Sequence, residues 1–306
     1  MTWFLYTFAL ANGNTRDSLS PFVFTANSHI VNRYDQLPNV WRTRIGGNWI
    51  AGRLSDAVAH NGVLAKDDYQ NIFGFYNAAW LFLTFVAIIC LADNPLFVIP
   101  LVFAGMCYSL TPLEEVTIFP WDMPSLCFWT LVVLLFQQKR YLEMLVAIVI
   151  GTVFKETVAV TAFFFFFTTL SRRKRWAFFG AAFITCLLLR LWITDAVLGQ
   201  PRIFTADVSG HSDVNVLKDL VTPRLNHFIW INAGTFIVAL FLPMKTTFDK
   251  GAKCVLIVFF VGMATASALA GTAFEFRQFS DVLPVSILYL DRALQHWKTT
   301  QTDIAT

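Results

Sequence analysis

The sequence predicts an all-α protein, a polytopic transmembrane helical bundle with short or broken helices and an amphipathic external loop helix. Its 306 residues are 56% hydrophobic and only 14% charged, with 32 Phe and 10 Trp. Mean hydropathy is +0.57, and apolar runs recur with short polar loops between them. A soluble domain of this length has no interior large enough for so much apolar surface, whereas a bilayer does.

Residues 1–71 are the first predicted unit, a short apolar segment followed by an external loop. Met1 to Ala11 is too short to span a bilayer. We expect it to be either the end of a first span or a short interfacial helix. Between Asn39 and Val58, apolar residues recur at helical spacing together with Trp and Arg. This pattern is typical of a helix that lies in the membrane interface.

Residues 72–295 are the predicted transmembrane bundle, and 296–306 the predicted cytoplasmic tail. Several predicted segments are shorter than the roughly 20 residues that a simple span needs. Short apolar segments are more typical of helices buried among others around a cavity. The predicted segments lie at 72–92, 95–110, 124–137, 141–154, 157–170, 176–196, 226–243, 252–271 and 279–295.

The run from Tyr141 to Leu170 predicts a hairpin. Lys139-Arg140 precede it and Arg172 to Arg175 follow it, and basic flanks favour the cytoplasm. With both ends on one side, the chain must turn at Lys155, Glu156 and Thr157. Each arm reaches only about 20 Å at 1.5 Å per residue, so the turn falls within the membrane profile. Charge at that depth is costly and marks a site or a water-filled cavity, or an ion pair that water reaches.

The distribution of charge gives an orientation with the C-terminus in the cytoplasm. The predicted cytoplasmic segments, which are 93–94, 137–143, 171–175, 244–253 and 291–306, hold 11 Lys and Arg against 5 acids. The remainder holds 12 Lys and Arg against 15 acids. The short loops are therefore the basic ones, as the positive-inside rule requires. This orientation places 1–71, 111–122, 155–156, 190–225 and 272–281 outside.

Polar residues collect on the predicted outer side. Glu114 and Glu115 form an acidic pair that either binds a divalent cation such as Mg²⁺ or Mn²⁺ or is simply solvated, and solvation is the favoured interpretation. Asp122, two residues before Pro124, is read as a helix cap. Arg44 and Arg277 suit phosphate recognition, since a guanidinium makes bidentate contacts. Arg277 also suits an ion pair with Glu275 or Asp281.

Several functional classes are excluded by what the sequence lacks. It has no GxGxxG, P-loop, HExxH, GxSxG or kinase-like motif, and so no sign of a nucleotide or soluble hydrolase site. It has no basic patch of the kind that binds nucleic acid. We therefore expect the bilayer, and no nucleic acid, as a partner.

Three pieces of sequence resemble the multi-span glycosyltransferases of the GT-C superfamily, particularly bacterial members of uncharacterised specificity. They are Tyr34-Asp35-Gln36 with Trp41-Arg42-Thr43-Arg44-Ile45, Gly151 to Thr157, and Glu275 to Phe279 with Leu283-Pro284. The likeness covers most of 30–290, loosely. The chain departs from the family pattern in lacking an acidic pair in its first external loop.

This resemblance implies a polyprenyl-phosphate sugar as donor at the outer (periplasmic) face of the inner membrane, in envelope polysaccharide or glycolipid assembly. It implies Asp35 as catalytic base, with Asp56 as second choice. It implies that Lys155 and Arg277 bind the lipid phosphate, with Glu156 orienting Lys155, and with Arg44 and Glu275 in the same substrate site. The alternatives are a transporter or flippase for a polar or lipid-linked solute, and a non-catalytic scaffold of a polysaccharide assembly complex.

Overall fold

A computed structural model describes residues 44–58, 66–110, 122–199, 201, 246–270 and 281–305. These residues form helices and turns and contain no strand, which confirms the all-α class for this part of the chain. The predicted features at 1–43, 111–121, 226–243 and 271–280 lie outside the described residues. The helices are α1 Ile45–Val58, α2 Lys66–Leu91, α3 Pro95–Leu110, α4 Asp122–Gln137, α5 Tyr141–Phe154, the 3-10 helix η1 Glu156–Phe167, α6 Arg172–Leu198, α7 Thr247–Ala270 and α8 Leu283–Ala305.

Within the described ranges, two helices are long and apolar enough to cross a membrane: Gly74–Leu91 of α2, and α6. Both carry large apolar side chains on their outward faces. Phe75, Phe82 and Ile89 are exposed on α2, and Leu188 and Trp192 on α6. Exposed apolar stripes of this kind suit contact with lipid or with another protein. The coarse expectation of membrane-compatible helices is therefore met.

The short helix α4 lies at the centre of the bundle, where it packs against α2, α5, α8 and η1. Thirteen of its sixteen residues are buried, including the indole of Trp129, which stacks edge-on against Phe259 of α7. A helix that is apolar on every side and surrounded by others does not need the length of a lipid-facing span. The burial of α4 agrees with the expectation that short apolar segments are helices buried among others.

The hairpin reverses direction at Lys155, where the sequence predicts the turn. Lys155 adopts an extended conformation with φ −154° and ψ 130°, and η1 then returns alongside α5. The two ends meet, since Tyr141 Oη lies 2.9 Å from Thr169 Oγ1. Near the turn the arms touch closely, because a Cβ on Gly151 would lie 2.6 Å from Val158. Only glycine permits this approach.

The return arm η1 is a 3-10 helix of 12 residues, which is long for this geometry. Burial along it repeats every three residues, as a helix with three residues per turn requires. Val158, Thr161 and Phe164 are fully buried, whereas Phe163 and Phe166 are partly buried. The partly buried ridge faces α6, where Phe163 and Phe166 both contact the ring of Phe179.

The predicted cytoplasmic segments that the structure describes lie together at one end of the bundle, which we call the basic end. The Asp291 carboxylate accepts hydrogen bonds from the backbone N–H groups of Asp93 and Asn94, and Arg292 donates to Gln137. The last helix extends from Leu283 to Ala305, beyond the predicted membrane segment that ends at 295. Residues 296–305 contain no Gly or Pro, so nothing in the local sequence stops the helix.

Candidate functional site

The candidate site lies at the turn of the hairpin, at the end of the bundle opposite the basic end. Its centre is the ammonium of Lys155, which lies 3.3 Å from Asp122 Oδ1 and 3.1 Å from the Asp281 carboxylate. Thr157 Oγ1 donates to Asp281 Oδ2 at 2.7 Å. The Lys155 side chain is 1% exposed and that of Asp281 0%. We call these four residues the lysine cluster.

The three charged members of the lysine cluster each lie at a break between elements. Asp122 begins α4, and Asp281 lies in the 3-10 turn that leads into α8. Carboxylates are favoured at helix starts because the N-terminal N–H groups carry partial positive charge. Lys155 lies between α5 and η1, so its side chain reaches inward between the two carboxylates. Ion pairs this deeply buried persist only when every charge has a partner.

A second group joins α1 to the same turn. Arg44, immediately before α1, donates to Glu156 through two nitrogens, Nη2 to Oε1 at 2.7 Å and Nε to Oε2 at 3.3 Å. Arg44 is buried, whereas the Glu156 side chain is 34% exposed. Gly46 packs closely against the end of α5, since a Cβ added to it would lie 3.1 Å from the Phe154 ring. The start of α1 therefore lies directly over the end of α5.

Arg190 of α6 completes this region. Its side chain is buried and interacts electrostatically with both Glu156 and Arg44. The charge of Arg44 also acts on Lys155. The lysine cluster and the Arg44–Glu156 pair therefore interact electrostatically. We call the whole set the turn cluster: Arg44, Asp122, Lys155, Glu156, Thr157, Arg190 and Asp281. Glu156 is its most exposed member.

The turn cluster lies far from the basic end. The 14 residues of α5 separate them by about 21 Å at 1.5 Å per residue. On α6, Arg190 follows Arg175 by 15 positions, or about 22 Å. The exposed Trp192 lies only two positions beyond Arg190. In a hydrocarbon layer of about 30 Å, with the basic end at one surface, the turn cluster would lie near the opposite surface.

The structure brings together three of the predicted site residues, Arg44, Lys155 and Glu156. One expectation about them is wrong, because Glu156 does not orient Lys155. Glu156 binds Arg44, whereas Lys155 binds Asp122 and Asp281. The reason is the extended backbone at Lys155, since adjacent side chains on an extended segment point to opposite sides.

The other predicted site residues lie outside the described part of the chain, and their roles stay predictions. They are Asp35, Glu114, Glu115, Glu275 and Arg277. Asp56 lies in α1, but its side chain is also outside the described set. The contact of Arg44 with a lipid phosphate likewise stays a prediction, because in the structure its guanidinium is bound to Glu156.

Sequence reasoning missed Arg190, and it gave Asp122 no role beyond capping. Arg190 had a usable signal, because it is an isolated cation inside the apolar run from Cys186 to Ile193, and such charges are rare in membrane segments unless they are functional. Asp122 had no distinguishing signal, since an Asp at a helix start reads as a cap whether or not it also binds a lysine.

The described residues contain no group of three or more His, Cys, Asp and Glu that could hold a metal ion. In the lysine cluster the ammonium of Lys155 supplies the positive charge between Asp122 and Asp281. A second cation placed between these two carboxylates would be repelled by it. The predicted Mg²⁺ or Mn²⁺ ligands, Glu114 and Glu115, are not among the described residues, so that prediction stays open.

Comparison with known proteins adds no relative: no family model, no curated protein and no solved structure matches the chain.

Proposed function

We propose that this chain is a multi-pass protein of the bacterial inner membrane that transfers a sugar from a polyprenyl phosphate at the outer face. The observation that carries the proposal is the convergence of charged side chains on the hairpin turn. They come from separate parts of the chain: the residue before α1, the starts of α4 and α8, the turn itself, and α6. Buried charges gathered at a broken membrane helix are typical of a functional site.

The arrangement of the two ends supports the orientation. The basic end carries Lys139, Arg140, Lys250 and the run Arg172 to Arg175, as a cytoplasmic surface should. On α6, Trp176 and Trp192 are both exposed and lie 16 positions apart, about 24 Å. Tryptophans at the two ends of a span are typical of membrane interfaces. In this orientation the C-terminus is cytoplasmic and the turn cluster faces outward.

The reaction needs two kinds of group close together. An acceptor hydroxyl oxygen bonds to the anomeric carbon, and the bond from that carbon to the phosphate oxygen breaks. The phosphate leaves with the electron pair, and a carboxylate takes the hydroxyl proton. Cations that stabilise the leaving phosphate complete the site. The turn cluster offers carboxylates beside guanidinium and ammonium groups, although most of them are buried.

We assign the roles by exposure. Glu156, the most exposed carboxylate of the cluster, faces the substrate, and Arg44 holds it in a fixed orientation. The resemblance implies Lys155 as a ligand of the lipid phosphate, but its side chain is 1% exposed and paired with Asp122 and Asp281. We therefore assign these three residues the positioning of the turn instead of direct contact with the substrate. Asp35 as proton acceptor and Arg277 and Glu275 as further substrate ligands complete the proposal, as the resemblance to GT-C enzymes implies.

A transporter or flippase is the second candidate, and the broken hairpin favours it. Discontinuous helices and buried ion pairs also line the paths of transported ions and solutes. The two candidates differ in their products. A transferase releases polyprenyl phosphate and a glycosylated acceptor, whereas a transporter moves its solute across the bilayer unchanged. A scaffold does neither.

The test is turnover of radiolabelled polyprenyl-phosphate sugars by the purified full chain in lipid nanodiscs. We expect Glu156→Gln to reduce sugar release or transfer at least tenfold, and Asp35→Asn and Arg277→Ala to abolish it. The matched control is Glu143→Gln, because Glu143 pairs with Arg140 on the exposed surface of the basic end. Absence of both turnover and binding for every donor would reject the transferase in favour of a transporter or scaffold.

A further inference from the structure

We propose that a cavity at the basic end binds a phosphate group, as a second site independent of glycosyl transfer. The cavity has a volume of about 200 Å³ and lies where the ends of α4 and η1 meet the starts of α5 and α7. Its polar lining includes Gln137, Lys139, Thr168, Thr246 and Arg292. The length of α5 separates it from the turn cluster.

Two of the lining side chains have buried hydrogen-bond donors without a protein partner. Arg292 Nη2 donates to Gln137 Oε1 at 2.8 Å. Because a guanidinium can only donate, this contact fixes the carboxamide oxygen toward Arg292 and turns the NH₂ group away. Gln137 Nε2 and Arg292 Nε are both buried and unbonded among the described residues. An unsatisfied buried donor is unfavourable, so an oxyanion that accepted a hydrogen bond from either nitrogen would be stabilised.

The charges around the cavity favour an anion. Arg292 and the exposed Lys139 are the cations of its lining. Phe248 fixes the Arg292 guanidinium, which lies 4.6 Å from the ring centroid. Helix α7 begins at the cavity, so the positive end of its dipole adds to the same field.

Two acids close in sequence to the lining residues, Asp249 and Asp291, accept hydrogen bonds from backbone groups. The other oxygen of Asp249, Oδ1, is buried without a hydrogen-bond partner among the described residues. Asp249, in the first turn of α7, accepts a hydrogen bond from the N–H of Thr246, and Thr246 Oγ1 accepts one from the N–H of Asp249. Asp291 precedes Arg292 on α8, and its Oδ2 accepts from Asp93 and Asn94. These carboxylates stabilise helix ends, and neither of them is among the residues that line the cavity.

Phosphate is the anion that best fits this set. It is compact and offers several acceptor oxygens to a guanidinium, an ammonium, a carboxamide NH₂ and the hydroxyl of Thr246. The volume lies below the roughly 300–1,000 Å³ of pockets for larger ligands, so it suits a headgroup or a small phosphate compound. Basic pockets between membrane helices on the cytoplasmic side bind anionic lipid headgroups. The same chemistry would also bind free phosphate.

The experiment measures binding to the full-length protein in neutral detergent after removal of bound lipid. Three radiolabelled probes are used: phosphatidylglycerol, inorganic phosphate, and diacylglycerol as the lipid without phosphate. The variants are Arg292→Gln and Lys139→Gln. Lys139 is exposed and has a positive φ of 58°, which Gln tolerates about as well as Lys. Lys250→Gln is the matched control, since Lys250 is an exposed cation of the basic end outside the cavity.

We expect at least tenfold weaker binding of the phosphate-bearing probe in both cavity variants and unchanged binding in the control. Binding of phosphatidylglycerol but not diacylglycerol or phosphate identifies a lipid headgroup as the source. Binding of inorganic phosphate with no gain from the lipid identifies a soluble ligand. If Arg292→Gln fails to fold, Lys139→Gln decides. The proposal is overturned if neither phosphate-bearing probe binds, or if the cavity variants bind like the control.

Discussion

Lys155 is the residue on which the geometry of the turn depends, because its ammonium pairs with two carboxylates from distant parts of the chain. Asp122 comes 33 positions before it and Asp281 126 positions after it. The three charges are almost fully removed from water, so each is tolerated only in the presence of the others. The ammonium thereby ties the starts of α4 and α8 to the hairpin.

Replacement of Lys155 by Met should be strongly destabilising, because it leaves two carboxylates buried beside each other. Breaking a buried ion pair costs about 3–5 kcal/mol. We expect a loss of this size in equilibrium unfolding in mixed micelles, and partial recovery when Asp281→Asn is added. Lys250→Met, at an exposed position, is the control. A loss below about 1 kcal/mol in the single variant would contradict the arrangement.

The contact between Arg44 and Glu156 depends on shape as well as charge. Arg44→Lys keeps the charge but cannot make two parallel hydrogen bonds. We expect a loss of about 1 kcal/mol in unfolding free energy, at the low end for charged hydrogen bonds because Glu156 is partly exposed. Arg53→Lys on the exposed surface of α1 should have no measurable effect. Equal stability of the two variants would show that the bidentate contact is unimportant.

Single residues show where sequence reasoning succeeds and fails. The sequence identifies Lys155 and Glu156 because two charges interrupt an apolar run, which is a local anomaly. It does not identify their partners, because the pairing of Lys155 with Asp281 joins positions far apart in the chain. Residue types also do not predict the extended backbone at Lys155. This backbone directs Lys155 and Glu156 to different partners.

At the scale of elements, the hairpin depends on close approach of its two arms. Gly151→Ala would place a methyl group 2.6 Å from Val158 and 3.0 Å from Phe128. Overpacking of this kind costs about 1–3 kcal/mol. We expect Gly151→Ala to lower the unfolding temperature in detergent, and Val158→Ala to restore part of it.

Gly180→Ala in α6 is the matched control for this prediction, since nothing lies within 4 Å of its added methyl group. The same exchange should stabilise α6 slightly, because alanine is favoured over glycine in helices by up to about 1 kcal/mol. Equal effects of Gly151→Ala and Gly180→Ala would show that the arms do not touch as the structure has them.

Helix positions were largely predictable from the sequence, but helix type was not. The apolar runs and the polar loops between them locate α3, α4 and α5 to within two residues, because hydrophobicity alone marks such segments. The start of α2 lies six residues before the predicted one, because its first turns are polar. The sequence does not predict the 3-10 winding of η1. Apolar residues occupy most of its positions, including Phe163 to Phe167, so neither a period of 3.0 nor one of 3.6 stands out.

In the whole molecule, the turn cluster and the basic end lie at opposite ends of the bundle, as the two surfaces of a membrane require. The proposed topology, with the turn cluster outside and the basic end in the cytoplasm, is tested by thiol labelling of variants in which the five native cysteines are replaced. With an impermeant reagent on intact spheroplasts, we expect Ala57→Cys to react and Gln138→Cys to react only after disruption. Both positions are exposed on the protein surface. Labelling of both from outside would refute the proposed topology.

The rise per residue of η1 sets the depth at which the charges of the hairpin turn lie. As a 3-10 helix, its 12 residues extend about 24 Å at 2.0 Å per residue, which is comparable to the reach of α5. Wound as an α-helix, they would extend only about 18 Å. With Tyr141 and Thr169 still in contact, that shortening of about 6 Å would draw Lys155 away from Asp122 and Asp281. The 3-10 winding of η1 therefore sets the distance of Lys155 from the basic end of the bundle.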